Sequence, residues 1–109
     1  MLKTMSCNIV SIKALFFSEK ILFLSILSSL GVLGITPGHS PLLSKIKPGA
    51  VEITLKNNQK KKFYISGGFI EIQKITISIL ANTIIPLTKL NKQSAKQLKY
   101  FLAVAKHKN

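Results

Sequence analysis

The sequence predicts a mainly β chain, an antiparallel β-sandwich followed by a single amphipathic C-terminal helix. Short stretches in which apolar and polar residues alternate are separated by glycine, proline and asparagine clusters, as in small sandwiches. Residues 34–49 hold three of the four prolines and three of the six glycines, which requires several turns. After Pro86 the apolar spacing changes to three and four residues. We therefore expect a β-sandwich domain over residues 1–86 and a helical segment over residues 87–109.

The first strands are predicted over residues 6–12 and within residues 21–35. The second stretch carries no charge and has two alternative interpretations. A membrane-spanning helix needs roughly 20 predominantly apolar residues. This stretch has fifteen, including three serines and two glycines. We expect a strand pair with apolar outer positions, and a small single-pass membrane protein built on residues 21–35 is the alternative.

The turn-rich stretch 34–49 predicts a turn, a brief strand and a second turn. Pro37-Gly38 has the residues of a type II turn, and Lys47-Pro48-Gly49 repeats them. The intervening apolar residues are expected to enter the core; they are Leu42, Leu43 and Ile46.

The following residues predict a hairpin, a corner and two further strands. Residues 50–56 alternate cleanly, residues 57–60 form a hairpin tip rich in asparagine, and residues 61–65 return. Ser66-Gly67-Gly68 then predicts a bulge or a sharp corner. Strands follow over residues 69–73 and 74–80, the second with Ile75, Ile77 and Ile79 on one face.

The C-terminal stretch predicts a helix of about five turns with Thr88 as its N-cap. Its apolar stripe is formed by Leu87, Leu90, Ser94/Ala95, Leu98, Phe101/Leu102 and Ala105. A single amphipathic helix needs a sheet, another helix or a partner to lie against.

The net charge of +13 favours an anionic partner, but the distribution of the basic residues weakens this interpretation. All sixteen are lysines, whereas specific recognition of bases and phosphates favours arginine. The only run is Lys60-Lys61-Lys62, with Phe63-Tyr64 as the only adjoining aromatic pair. We hypothesise that the composition reflects an AT-rich genome rather than a functional basic face. A lysine-rich nucleic-acid-binding β-domain is the second alternative.

The residue types argue against an enzyme that works alone. Two histidines, three glutamates and no aspartate are spread over separate elements, so no nucleophile–base pair or metal-ligand cluster is predicted. Cys7 is the only cysteine and is expected to be a small buried hydrophobe. We predict no catalytic residue, no metal and no cofactor.

Two motifs carry a resemblance to a known family. The first reads G-I-x-P-G-H-x-P-L-L-x-x-I-K-P-G over residues 34–49, and the second reads Y-I-S-G-G-F-I-E-I over residues 64–72. Together with residues 8–11 and 79–83 they make the chain similar to the epsilon subunit of bacterial F-type ATP synthases.

The resemblance implies a non-catalytic subunit of the rotating central stalk. Such a subunit would bind gamma and the ring of proton-carrying membrane subunits, below the catalytic head, and couple proton flow to ATP synthesis. It would bind no nucleic acid. It would be a peripheral protein on the cytoplasmic face of the bacterial inner membrane, held there only through the complex.

The chain departs from the family in the loop before the first motif. Acidic residues usual there are replaced by Leu30 and Val32, which we expect to make an apolar contact with the ring or with gamma. His39, Ser66 and Gly67 complete the predicted partner interface.

The C-terminal stretch departs from the family too. Relatives that bind ATP resemble L-D-x-x-R-A where this chain has L-N-K-Q-S-A over residues 90–95. Because the acid and the arginine are missing, we predict that the chain binds no ATP. Relatives usually end in a hairpin of two helices, of which the second can extend and block rotation. We expect only one helix here, and therefore little or no inhibition of the complex by this subunit.

Overall fold

The computed structural model describes residues 4–87, and within them the chain is built of strands without a helix. The strands are β1 (Met5–Ser11), β2 (Leu15–Ser28), β3 (Gly31–Ile35), β4 (Leu42–Ile46), β5 (Gly49–Leu55), β6 (Lys60–Ile65), β7 (Gly68–Ile72), β8 (Thr76–Ala81) and β9 (Ile84–Pro86). The mainly β prediction is confirmed over this part of the chain. The predicted C-terminal helix, with its N-cap at Thr88, lies outside the described residues after Leu87.

β2 is the central strand of the sheet, because its 14 residues are long enough to pair with several other strands along their length. Its first half pairs with β1, and its second half pairs with β5 and β3. Its last residue, Ser28, is paired with Ile46 of β4. The order β1-β8-β7-β4-β2 therefore closes on itself, while β3-β2-β5-β6-β9 forms the second layer and shares β2. This sharing produces the sandwich.

One pairing departs from the antiparallel prediction, since β1 and β8 run parallel from Ser6↔Thr76 to Ser11↔Ala81. Parallel neighbours need a long connection, and the chain between these two strands supplies it. Local alternation cannot reveal such a pairing between the two ends of the domain.

The core lies between the layers and consists mainly of isoleucine. Strand alternation directs these side chains to one face, as Val51 and Ile53 of β5 show. Fully buried members include Ile9, Ile21, Leu24, Ile65, Ile70, Ile77 and Ile79. Cys7 belongs to the same cluster, as predicted. Burial raises the pKa of the Cys7 thiol to about 12.

Two predicted turns are confirmed by backbone geometry. Asn58 at the β5–β6 hairpin has φ 69°, and Gly38 after Pro37 has φ 91°. At the start of β7, Gly68 has φ 142°, and an added Cβ would collide with the carbonyl oxygen of Leu80. Only glycine fits this close approach of two strands.

Several local predictions are wrong. Gly49 opens β5 without a positive φ, so Lys47-Pro48-Gly49 is not a second type II turn. Leu43 is 69% exposed, because strand alternation in β4 places Leu42 and Ile46 inward and Leu43 outward. Ile75 precedes β8 and is exposed. The strand β9 was not predicted at all.

The membrane-span alternative is also wrong. Residues 21–35 form most of the β2–β3 hairpin, and the buried members of this stretch face the core of the sandwich. No helix within residues 4–87 is long and apolar enough to cross a membrane.

Candidate partner interface

β2 and β3 are joined by a turn at residues 29–30, and we call residues 29–32, which include the first two residues of β3, the hairpin tip. The buried Ser28 organises it: its Oγ donates to the carbonyl oxygen of Gly31 at 3.0 Å and accepts from the backbone N–H of Leu30 at 3.0 Å. The N–H and hydroxyl of Ser29 both donate to the carbonyl oxygen of Lys45, at 3.0 and 3.1 Å. The tip is thus tied both to its own strand and to β4.

The hairpin tip presents two large apolar side chains to solvent. Leu30 is 68% exposed and Val32 is 73% exposed. On the other face, Ile35 belongs to the core and Leu33 packs against it. Because the turn is held by four hydrogen bonds, these side chains project from a fixed backbone. Such preorganised apolar residues bind a partner at a low ordering cost.

The corner at Ser66 and Gly67 lies at the same end of the sheet as the hairpin tip. Gly68 pairs with Ile46, and Ile46 pairs with Ser28, so three adjacent strands connect the corner to the tip. The corner is held by hydrogen bonds from Ser66 N–H to the Thr83 carbonyl and from Asn82 N–H to the Gly67 carbonyl. The structure therefore brings four of the five predicted interface residues to one end.

Gly67 itself is buried, so it can influence a partner only through the backbone shape of the corner. A Cβ at this position would lie 3.3 Å from the carbonyl oxygen of Ile46. Ser66 is half-buried and offers the side chain of the pair.

His39 lies at the opposite end of β4 from the hairpin tip. Its N–H donates to the carbonyl oxygen of Thr36 at 3.2 Å, and its ring Nδ1 is 2.8 Å from the carbonyl oxygen of Ser40. Because a carbonyl oxygen only accepts, Nδ1 must carry the proton in this contact. Gly38 N–H donates to the carbonyl oxygen of Lys74 and anchors the loop to the β7–β8 turn. His39 is therefore not part of the surface at the tip.

Sequence analysis missed a second exposed surface, on the outer face of β4, β7, β8 and β1. It is a depression of about 350 Å³, which we call the outer groove, lined by Asn8, Val10, Leu43, Phe69, Glu71, Ser78, Ile79 and Leu80. Phe69 and Leu80 are paired across β7 and β8, and each is 48% exposed. Strand periodicity could have found them, because β7 and β8 carry large apolar residues on both faces.

Each lysine of the run lies near a carboxylate, Glu52 on the adjacent strand β5 or Glu19 on β2. Lys60 and Lys62 lie 3.2 and 3.4 Å from the carboxylate of Glu52, and Lys61 lies 3.8 Å from that of Glu19. The hydrogen bond from Lys60 is the main reason why the pKa of Glu52 is lowered. These lysines therefore do not form an unopposed basic face.

The adjoining aromatic residues are also unsuited to stacking on bases. Phe63 and Tyr64 are 4% and 6% exposed, and Phe63 packs against the rings of Phe16 and Phe17. Burial raises the pKa of Tyr64. Single-strand binding needs exposed aromatic platforms beside a basic groove. Within residues 4–87, the nucleic-acid alternative thus lacks the exposed aromatic platform that it requires.

The architecture and the comparisons identify the family. Within residues 4–87, nine strands in two layers that share β2 define a small β-sandwich domain. Residues 4–87 match the family model described as ATP synthase, Delta/Epsilon chain, beta-sandwich domain. The chain therefore belongs to the ATP synthase delta/epsilon family, which confirms the family predicted from the two motifs. Members of this family are non-catalytic subunits, in agreement with the prediction that the chain is no enzyme by itself.

Two solved structures share the fold. A chain of the mitochondrial ATP synthase of Euglena gracilis, in an OSCP/F1/c-ring structure, has a TM-score of 0.77 and 21% identity. The match covers 90% of this chain and 63% of the Euglena chain. A chain from the central stalk and c-ring of the Tetrahymena thermophila mitochondrial ATP synthase has a TM-score of 0.63 and 14% identity, covering 93% and 96%. This chain thus spans less than two thirds of the Euglena chain.

Proposed function

We propose that the chain is an epsilon-type rotor subunit of an F-type ATP synthase. In this role it binds gamma and the ring of membrane subunits, lies below the catalytic head, and couples proton flow to ATP synthesis without chemistry of its own. The observation that carries the proposal is the family match over residues 4–87. The two solved structures with this fold come from assemblies that contain a c-ring, which supports the same position.

The hairpin tip is the proposed contact with the membrane ring. Leu30 and Val32 are exposed on a fixed turn, and burying a side chain of this size contributes about 1.5–3 kcal/mol. Ser66 and the backbone of Gly67 precede β7, which lies two strands from β2, at the same end and would extend the contact. An apolar contact thus replaces the acidic loop usual in the family.

A subunit held between gamma and the ring needs two separate surfaces, and the two ends of β4 provide them. The tip is tied to the C-terminal end of β4 through Lys45, whereas His39 precedes its N-terminal end. We assign His39 to the gamma contact for this reason.

The proposed location is the cytoplasmic face of a bacterial inner membrane, reached only through the complex. In the same proposal, residues 1–86 form the sandwich domain and residues 87–109 a separate helical segment that binds no ATP. The uncharged stretch 21–35 forms strands of the sandwich and contributes side chains to its core, so its apolar composition is explained without a membrane-spanning helix.

Co-purification with gamma, followed by removal of the chain from the complex, tests the proposal. The chain should copurify with gamma and leave membranes on alkaline washing, and its loss should uncouple proton flow from ATP synthesis. A chain that fails to bind gamma, or a complex that stays coupled without it, would refute the proposed function.

A further inference from the structure

Residues 21–27 of β2, which we call the apolar segment, have a composition that favours binding by another chain wherever they are exposed. They read I-L-F-L-S-I-L, six apolar residues and one serine, without charge, proline or glycine. Lys20 precedes the segment, and no carboxylate lies between Glu19 and Glu52. Short segments with high β-propensity and no charge pair with other chains when nothing covers them.

The fold hides most of the apolar segment. Ile21, Leu24 and Ile26 are buried in the core. The backbone of the segment is paired with β5 on one side and with β3 on the other, and Leu24 has a partner in both strands. The apolar segment therefore becomes accessible to a partner when the chain is unfolded.

The residues that cover the apolar segment come later in the sequence. β3 and β5 pair with its backbone, and the core that it enters includes Ile65, Ile70 and Ile77 from β6, β7 and β8. The sheet closes only when β8 pairs with β1. Pairing between distant and parallel strands is slow and leaves apolar segments exposed in the meantime. The newly made chain therefore exposes the apolar segment until β8 has been synthesised.

The charge of the chain selects among the partners that could cover this segment. A second unfolded copy would bring another net charge of +13, which repels the first. A groove that holds one short extended segment fits better, because it pairs with the backbone and takes alternate side chains into pockets. Lys20 adds a cation at the N-terminal side of the segment, which favours a groove with an acidic rim.

From these observations we infer that a chaperone of the class that holds extended apolar segments binds residues 21–27 of the unfolded chain, with Lys20 against the acidic rim of its groove. The inference concerns the newly made chain and does not rest on the proposed role in an ATP synthase. It gives the uncharged stretch a role before folding, in addition to its structural role in the sandwich.

Dilution of the full chain from urea onto a purified heat-shock chaperone whose groove holds a labelled apolar heptapeptide tests the inference. The unfolded chain should displace the labelled peptide, and the chain that has already folded should not, because folding buries Ile21 and Leu24.

A lysine within the apolar segment should prevent displacement. Leu22→Lys should weaken it about tenfold or more, because the groove would have to desolvate an ammonium group. Leu22 is half-buried and lies at the irregularity between Ile21 and Phe23, where it has no partner in β5. Ile75→Lys is the matched control, since Ile75 is exposed and lies outside the segment. It should change displacement less than about twofold.

A charge change beside the segment tests the acidic rim. Lys20→Glu should weaken displacement about threefold and reduce its salt dependence. Lys74→Glu makes the same charge change elsewhere in the chain and should leave displacement unchanged. Lys20 and Lys74 are both exposed, so both variants should keep the thermal stability of the wild type.

Because displacement is measured with the unfolded chain, a variant that folds poorly still reports on binding. The inference is overturned if the unfolded wild type leaves the labelled peptide in place, or if Leu22→Lys and Ile75→Lys displace it equally well. Unfolded chains that aggregate with one another while the chaperone stays free would show that the partner is a second copy, which overturns the inference too. The gamma co-purification that tests the proposed function is independent of all these outcomes.

Discussion

The hydroxyl of Ser28 lies 3.0 Å from the backbone nitrogen of Leu30, so a buried side chain holds an exposed one in place. The same hydroxyl donates to the carbonyl oxygen of Gly31. A small polar residue inside the sandwich therefore determines the backbone of the hairpin tip.

Ser28→Ala should lower the free energy of unfolding by about 1–3 kcal/mol, because two hydrogen bonds in a partly buried turn are lost. Urea denaturation measures the change. Ser40→Ala is the control, since its exposed side chain should leave the midpoint unchanged. An equal loss in both variants would contradict the role given to Ser28.

Val32→Glu should leave folding intact and weaken assembly with the membrane ring. Val32 is 73% exposed, so the change creates no buried charge in the isolated chain, whereas it desolvates a carboxylate at an apolar contact. We expect a loss of about 1.4 kcal/mol or more, which corresponds to tenfold in affinity.

Co-purification with the ring and coupled ATP synthesis measure this effect, with Val32→Ala as the milder variant. Normal assembly and coupling in Val32→Glu would show that the tip makes no apolar contact with the complex.

Gly68→Ala should destabilise the domain much more than Gly31→Ala. Both glycines have positive φ, at 142° and 107°, and such strain costs about 1–3 kcal/mol in a residue with a side chain. Only at Gly68 would the added Cβ also collide with the Leu80 carbonyl, since nothing lies within 4 Å of a Cβ at Gly31.

Thermal unfolding of the two variants measures this difference. Gly31→Ala should fold with a reduced midpoint, and Gly68→Ala should unfold far below it or fail to accumulate. Similar midpoints would mean that the β7–β8 approach tolerates a side chain.

Cys7 should make the stability fall at alkaline pH. Burial raises its pKa in the folded chain from the ordinary 9.0 to about 12, so between these values only the folded state keeps the proton. The free energy of unfolding is therefore unaffected by this group below pH 9. As the pH rises from 9 toward 12, it falls by about 1.4 kcal/mol for each pH unit.

Urea titrations at pH 8 and above compare the wild type with Cys7→Ala, which removes this titration while the lysines stay the same. As the pH rises, the free energy of unfolding of the wild type should fall relative to that of Cys7→Ala. Rapid reaction of Cys7 with a thiol reagent in the folded chain would contradict the burial on which the prediction depends.

The local sequence predicted much of the fold. Alternation located the strands around Val51 and Ile53, and turn residues located the hairpin at Asn58 and the corner at Gly68. It misplaced Leu43, because three apolar residues in a short run do not reveal which of them face inward.

The candidate site was predicted less completely: the sequence indicated individual residues but not which of them lie next to each other. The motif departures singled out Leu30 and Val32, and the tip that they form is exposed. The outer groove escaped notice because Leu43, Phe69 and Leu80 come from three strands and form a surface only when those strands pair.

By itself the sequence determined the family, the strands and the tight turns, because motifs, side-chain period and glycine conformation are local properties of the chain. Tertiary structure alone decided that β1 lies parallel to β8, that the Ser66 corner lies beside the hairpin tip, and that His39 lies apart from both. These relationships depend on pairing between residues distant in sequence, and local periodicity contains no information about which strands become neighbours.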